Sequence, residues 1–264
     1  MNYAVIGYPV KHTLSPVIHN ANFKALNISA DYMALEIKPE DLENIKVLVN
    51  EHDLSGFNVT VPHKENIMKA LDYLAPEAEK IGAVNTVHVK NGKFYGYNTD
   101  VTGYMKAFND AFGQRKRHVL ILGAGGAAKA VHRAHADNGD EVTVMARRAE
   151  SFDSFKTADF NRLLTTEFTG ESYDAVINAT PLGLNGEDVF EMMGLDTSFI
   201  TETTAGMDLI YNPSVTPFMN YFKDSTNGLQ MLINQALDAF KIWTAETGSN
   251  KAVQDALQQY MEEI

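Results

Sequence analysis

Residues 118–130 read His-Val-Leu-Ile-Leu-Gly-Ala-Gly-Gly-Ala-Ala-Lys-Ala, and this stretch decides the fold. The apolar run at 119–122 is long enough for a buried strand. It stops at Gly123, and a helix is expected over residues 126–137. Gly123, Gly125 and Ala128 occupy the three fixed positions of a Gly-x-Gly-x-x-Ala turn. Gly123 permits the tight turn, Gly125 lets a pyrophosphate reach the backbone, and Ala128 lets the helix pack close to the strand. The unpaired N–H groups at the helix start carry a partial positive charge that suits phosphate. A tight strand-to-helix connection that binds nothing could carry the same residues. The dinucleotide reading gains weight when a second strand follows about twenty residues on. Residues 141–146, Glu-Val-Thr-Val-Met-Ala, supply that strand.

The end of the second strand indicates which dinucleotide. An NAD site usually places Asp or Glu there, whereas a 2′-phosphate needs cations. Here Ala146 is followed by Arg147 and Arg148, so NADP is expected. A guanidinium suits phosphate by charge and by its planar donors. Glu150 adds some repulsion, and an ordinary solvated helix start is the plain alternative for both arginines.

Working outward, the whole chain has 264 residues, enough for one large domain or two modest ones, and 45% are hydrophobic. The net charge of −12 argues against nucleic-acid or anionic-membrane binding as the main task. An anionic ligand must then be held by local donors. The chain has no cysteine, which excludes disulfides and thiol chemistry. Its eight histidines include His132 and His135, but no metal-ligand motif surrounds them. The N-terminal apolar run is too short for a signal peptide, and no run reaches membrane-spanning length. A cytoplasmic protein is expected.

Before the glycine turn, strands are expected at 3–7, 31–37 and 54–61. A helix follows Ser15 as N-cap, with Pro16 in its first turn, to about residue 26. Further helices are expected at 39–52, from His63 onward, and from Asp100 to 112. Residues 83–90 and 93–97 read as a hairpin around Asn91-Gly92. Strands alternating with helices indicate an α/β fold with a largely parallel sheet. After the turn, 173–178 and 204–210 read as strands. Leu229, Leu232, Ala236, Phe240 and Trp243 recur at helical spacing and mark a core-facing helix. A final helix is expected from Lys251.

Polar residues gather where the early strands end: Thr13 and Ser15, then Asn58, Thr60 and Lys64, then Asn85, then Asp100. Ligands in open α/β sheets bind beyond the carboxyl ends of strands. Each residue has a plain alternative: a helix cap for Ser15 and Asp100, a solvated lysine for Lys64, a turn residue for Asn85. Together, Thr-Leu-Ser-Pro at 13–16, Asn-Val-Thr-Val-Pro-His-Lys at 58–64, Gly-Ala-Val-Asn-Thr at 82–86 and Gly-Tyr-Asn-Thr-Asp at 96–100 resemble the shikimate dehydrogenase family. So do Asn-Ala-Thr-Pro-Leu-Gly at 178–183, Asp-Leu-Ile-Tyr-Asn-Pro at 208–213 and Asn-Gly-Leu-Gln-Met-Leu-Ile-Asn-Gln-Ala at 227–236. The order matches over nearly the whole chain.

The resemblance implies reversible, NADPH-dependent reduction of 3-dehydroshikimate to shikimate, a step of aromatic amino-acid biosynthesis. It implies two domains: a mostly parallel α/β substrate domain, 1–100 plus 229–264, and a Rossmann-type NADP-binding domain, 101–228. The C-terminal helices would return to the first domain, with a cleft holding both ligands. Lys64 and Asp100 would be catalytic. Thr13, Ser15 and Tyr211 would bind the substrate carboxylate, and Thr60, Asn85, Asp100 and Gln235 its ring hydroxyls. Gly123, Ala124, Gly125, Gly126, Ala127, Ala146, Arg147, Arg148, Leu209 and Gly228 would contact NADP(H). Tyr211 could equally be a packed aromatic, and Gln235 could have a backbone partner. The family usually has Asn-Arg-Thr where Ala146-Arg147-Arg148 stands, and more often Ser where Thr13 stands. A broader quinate/shikimate dehydrogenase would share these motifs, and a non-catalytic NADP-binding sensor would share the fold. A monomer or homodimer is expected.

Overall fold

The computed structural model describes residues 1–10, 13–153, 155 and 160–263. Lys11 and His12 of the first loop, and the last residue of the expected final helix, Ile264, lie outside the described residues. In chain order the regular elements are β1 (Asn2–Gly7), α1 (Ser15–Ala25), β2 (Asp31–Glu36), α2 (Ile45–Glu51), β3 (Leu54–Val59), β4 (Tyr73–Leu74), α3 (Pro76–Ile81), β5 (Thr86–Lys90) and β6 (Lys93–Tyr97). Then come α4 (Asp100–Phe112), β7 (His118–Leu122), α5 (Gly126–Asn138), β8 (Glu141–Ala146), β9 (Asn161–Leu164), β10 (Ala175–Asn178), α6 (Val189–Met193), β11 (Ala205–Asp208), β12 (Asp224–Thr226), α7 (Leu229–Thr244) and α8 (Asn250–Glu263). The chain divides into two compact units, Met1–Thr99 with Gln235–Ile264, and Asp100–Asn234. The second division falls inside α7.

The first unit is built on a six-stranded sheet in the order β2-β1-β3-β5-β6-β4. Only β5 runs against its neighbours. Both faces are covered, as the alternation of β1 requires. Ala4 and Ile6 join Phe57, Val87 and Phe94 on one face. Tyr3 and Val5 join Phe23, Tyr32, Phe240 and Trp243 on the other. The expected stripe on α7 therefore faces a core through its C-terminal half. Trp243 Nε1 donates to the Val87 carbonyl at 3.0 Å. Gly56 lies beneath the indole, since a Cβ there would stand 2.5 Å from Trp243 Nε1.

Three local expectations are corrected. Ser15 is not the N-cap of α1 but its first residue; Leu14 precedes it and makes no side-chain cap. The Thr13 hydroxyl accepts from the Ser15 N–H at 3.3 Å, leaving the Ser15 hydroxyl to accept from Thr13 Oγ1 at 3.1 Å. No α-helix starts at His63; only a 3₁₀ turn forms over Asn66–Ala70. Ile67 N still donates to the His63 carbonyl at 2.9 Å, but the Lys64 carbonyl accepts from Val84 N at 2.8 Å, so a long-range tie interrupts the helical ladder; His63 Nε2 lies 2.6 Å from the Ile37 carbonyl. The helix expected at 39–52 begins as a 3₁₀ turn, Pro39–Asn44, before α2.

The second unit carries six parallel strands in the order β12-β11-β10-β7-β8-β9. This is the doubly wound order, with its reversal between β7 and β10. β7 is buried on both faces. Val119 and Ile121 pack with Tyr104, Phe108 and Val131 from α4 and α5. Leu120 and Leu122 pack with Phe190 and Phe218. No described helix is long and apolar enough to cross a membrane.

Candidate active site

In the first unit, polar residues beyond the strand ends form a hydrogen-bond net around Asn85, which is 3% exposed. Its Oδ1 accepts from Thr99 N at 2.8 Å and from Thr86 Oγ1 at 2.9 Å. Its Nδ2 donates to Thr99 Oγ1 at 2.9 Å and to Gln235 Oε1 at 3.3 Å. The Asn85 carbonyl accepts from Val59 N at 2.8 Å and from Asn58 Nδ2 at 3.1 Å. Asn58 Oδ1 in turn accepts from the Tyr32 hydroxyl at 2.7 Å. Burial holds the Tyr32 phenol well above its ordinary pKa, so it remains a donor at neutral pH. Buried polar groups held on several sides cannot rotate freely, which fixes the direction of each amide.

Thr60 and Lys64 follow β3. Thr60 N donates to the Ile6 carbonyl at 2.9 Å, and the Thr60 carbonyl accepts from His63 N at 2.9 Å. With Val84 N bound to its carbonyl, Lys64 has a backbone anchored to the β5 side of the sheet. Thr13 and Ser15 form the hydroxyl pair already described. Asn85 and Gln235 are thus linked directly, in a net whose other members include Tyr32, Thr86 and Thr99, which the residue-by-residue reading did not single out. The only sequence signal for these was the position of Thr99 beside Asp100 and of Thr86 beside Asn85.

Behind this net lies His19, fully buried and stacked on Tyr32 with ring centroids 4.3 Å apart. Neither ring nitrogen has a hydrogen-bond partner among the described residues. Burial lowers its pKa to about 3, with the nearby Asn58 side chain acting in the opposite sense.

In the second unit, the glycine turn has the form its sequence demands. Gly123 adopts φ +99°, a conformation glycine permits without a Cβ penalty. Gly125 precedes α5 as its N-cap. A Cβ at Gly125 or at Gly126 would meet no neighbouring side chain or loop within 4 Å, whereas Ala128 is fully buried on the inner face of α5. The protein leaves open space above backbone donors, and this fits a pyrophosphate. Ala124 and Ala127 flank that space in sequence, both half-buried. Ala146 ends β8 in the core, while Arg147 and Arg148 are exposed just beyond it. A neighbouring depression is lined by Phe152, Arg162 and Leu164 together with Glu150 and Glu167. Arg162, on the edge strand β9, was not anticipated.

Asp100 opens α4 and is 6% exposed. Leu209 follows β11, and its N–H donates to the Asn178 carbonyl at 3.0 Å. Gly228 abuts that segment: a Cβ there would fall inside the Leu209 carbonyl group. Tyr211 is half-buried, and burial raises its phenol pKa.

A doubly wound parallel sheet, an open glycine turn at the strand beside the reversal, and two exposed arginines just past β8 are the architecture of a dinucleotide-binding α/β protein. Its first unit carries a buried polar net around Asn85. The shikimate dehydrogenase substrate binding domain matches residues 5–87. The NADP(+) shikimate dehydrogenase of Caldanaerobacter subterraneus subsp. tengcongensis is 42% identical over 263 residues, covering 92% of this chain and 91% of that one. That of Staphylococcus haemolyticus is 40% identical over 255 residues, covering 93% of each. The crystal structure of shikimate 5-dehydrogenase from Thermus thermophilus in complex with NADP(H) and shikimate superposes with a TM-score of 0.85 at 31% identity, covering 98% of this chain and 99% of that one. The chain belongs to the shikimate dehydrogenase family.

Proposed function

We propose that the chain catalyses the reversible reduction of 3-dehydroshikimate to shikimate by NADPH, in aromatic amino-acid biosynthesis. The observation that carries this is near full-length identity of about 40% to NADP(+) shikimate dehydrogenases, with the lysine and aspartate motifs intact. The first unit would take the substrate, a reading supported by the family match to residues 5–87. The second would take NADP(H), supported by the open glycine turn. A cytoplasmic monomer or homodimer fits this role.

NADPH supplies the hydride when bound. The chain must hold the carbonyl compound and provide one proton. In this reading the Lys64 ammonium donates that proton to the carbonyl oxygen and stabilises the developing alkoxide. In the oxidation direction the neutral amine takes it back. Asp100 accepts a hydrogen bond from the substrate hydroxyl and orients Lys64. Thr13, Ser15 and Tyr211 offer hydroxyl donors to the carboxylate. Thr60, Asn85 and Gln235 read the ring hydroxyls, and bracing by Thr86 and Thr99 sets the direction in which Asn85 presents its amide.

Lys64→Ala tests the proton role. It should lower kcat by roughly 10²–10⁴, the range of lost acid–base catalysis, while NADPH affinity by fluorescence titration stays at the wild-type value. Turnover close to wild type would reject the assignment.

A further inference from the structure

The last residues of β10 and β11, Asn178 and Asp208, stand opposite each other across the parallel ladder, and both are fully buried. No cation pairs with Asp208 among the described residues. Donors converge on it instead. Asn178 Nδ2 lies 3.1 and 3.2 Å from its two oxygens, Ile210 N lies 3.0 Å from Oδ1, and Thr216 Oγ1 lies 2.6 Å from Oδ2. Burial pushes the carboxyl pKa up, and the bonds from Thr216, Ile210 N and Asn178 pull it back. A carboxylate that receives only donors is matched to its ionised form.

The same contacts spread outward. Asn178 Oδ1 accepts from Thr180 N at 3.1 Å and from Thr180 Oγ1 at 2.7 Å, and Asn178 Nδ2 also donates to the Leu182 carbonyl at 3.0 Å. The Thr180 methyl backs the glycine turn, since a Cβ at Gly123 would stand 2.9 Å from it. Gly228 N donates to the Ile210 carbonyl at 3.1 Å. One buried carboxylate therefore ties the loop after β10, the loop after β11 and Thr216 into a single platform. In a doubly wound sheet the adenosine ribose lies toward the end of the second strand, here β8, so the other half of a dinucleotide extends toward β10 and β11.

We infer that Asp208 is a positioning residue for the nicotinamide half of the cofactor, acting through the loops it ties. The adenosine half, held at the ends of β7 and β8, does not depend on it. This rests on the NADP reading of the second unit. An amide at 208 would turn one acceptor into a donor facing other donors, leaving buried groups unpaired.

The test compares two ligands on the full chain: NADPH, and adenosine 2′,5′-bisphosphate, which lacks the nicotinamide half. In Asp208→Asn and in Thr216→Val, NADPH should bind about 10-fold more weakly or worse, the scale of one lost charge-assisted hydrogen bond. The bisphosphate should bind as to wild type, and KM for NADPH should rise more than kcat falls. Thr216→Ser, which keeps the hydroxyl donor, should restore NADPH binding; Thr216→Val and Thr216→Ser carry the test if Asp208→Asn does not fold. Equal losses for both ligands, or no loss of NADPH affinity, would overturn the inference. A wild-type chain that binds neither ligand would overturn the NADP reading, and the inference with it.

Discussion

Gly125 and Gly228 are both assigned to the cofactor by the resemblance, yet the structure surrounds them differently. A side chain at Gly125 would enter open space, whereas one at Gly228 would collide with the Leu209 carbonyl. No protein neighbour within 4 Å would exclude a side chain at the first glycine. The second is required by the chain itself, whatever else it touches. The same division separates the exposed Arg147 and Arg148 from the enclosed His19. A residue reserved for a ligand can be changed without loss of stability; a residue reserved for the fold cannot.

Gly125→Asp probes the ligand side most strongly. Aspartate is a good N-cap and suits the positive helix end, so the melting temperature should hold or rise. Its charge about 4 Å from a pyrophosphate would cost about 4 kcal/mol at an effective dielectric of 20, so NADPH affinity should fall by more than about 100-fold. A fall in stability comparable to the loss of affinity would erase the distinction.

Gly228→Ala probes the fold side. The backbone must shift to admit the methyl, and overpacking of this kind costs up to about 3 kcal/mol. Urea unfolding should show the loss with no ligand present. Unchanged stability would place Gly228 with Gly125.

The arginine pair should give a smaller effect. Arg147→Ala with Arg148→Ala removes charge-assisted bonds worth about 1.5–3 kcal/mol. NADPH should weaken by that amount, NADH little, and stability not at all. Equal losses for both cofactors would show that the arginines do not read the 2′-phosphate.

His19 gives the mildest effect at any one pH. Burial lowers its folded pKa to about 3, so between that value and the ordinary 6.5 the unfolded chain binds more protons. Stability should therefore fall as pH drops below 6.5, by about 1.4 kcal/mol at one unit below from this residue alone. His19→Gln should flatten the slope between pH 6.5 and 5, a window above the usual carboxylate range. An unaltered slope would mean that His19 is not kept neutral by its enclosure.

What could be read from the sequence was what is local. The glycine turn, β7, β8, the hairpin at Asn91 and Gly92 (φ 54° and 71°) and the helical stripe of α7 each declare themselves within one turn or one period. Helix α3 is local in the same way, with Pro76 at its start and left-handed Gly82 after its end. The net around Asn85 had no local pattern, because its partners stand 14 and 150 residues away along the chain. The helix expected at His63 failed for the same reason, since the bond from Val84 to Lys64 cannot be seen in residues 63–70. The roles of Thr13, Lys64, Asp100 and Gln235 came only from motifs shared with a family. Asp208 stood inside one of those motifs, but nothing in its neighbours along the chain announced a buried carboxylate surrounded by donors.

The central claim is that this chain moves a hydride between NADPH and the carbonyl carbon of 3-dehydroshikimate. The most direct measurement follows the NADPH absorbance band after 3-dehydroshikimate is added to the full chain. The account predicts loss of the band with shikimate formed in equal amount, and much slower loss of the NADH band at the same concentration. A stable NADPH band with the cofactor demonstrably bound would contradict it.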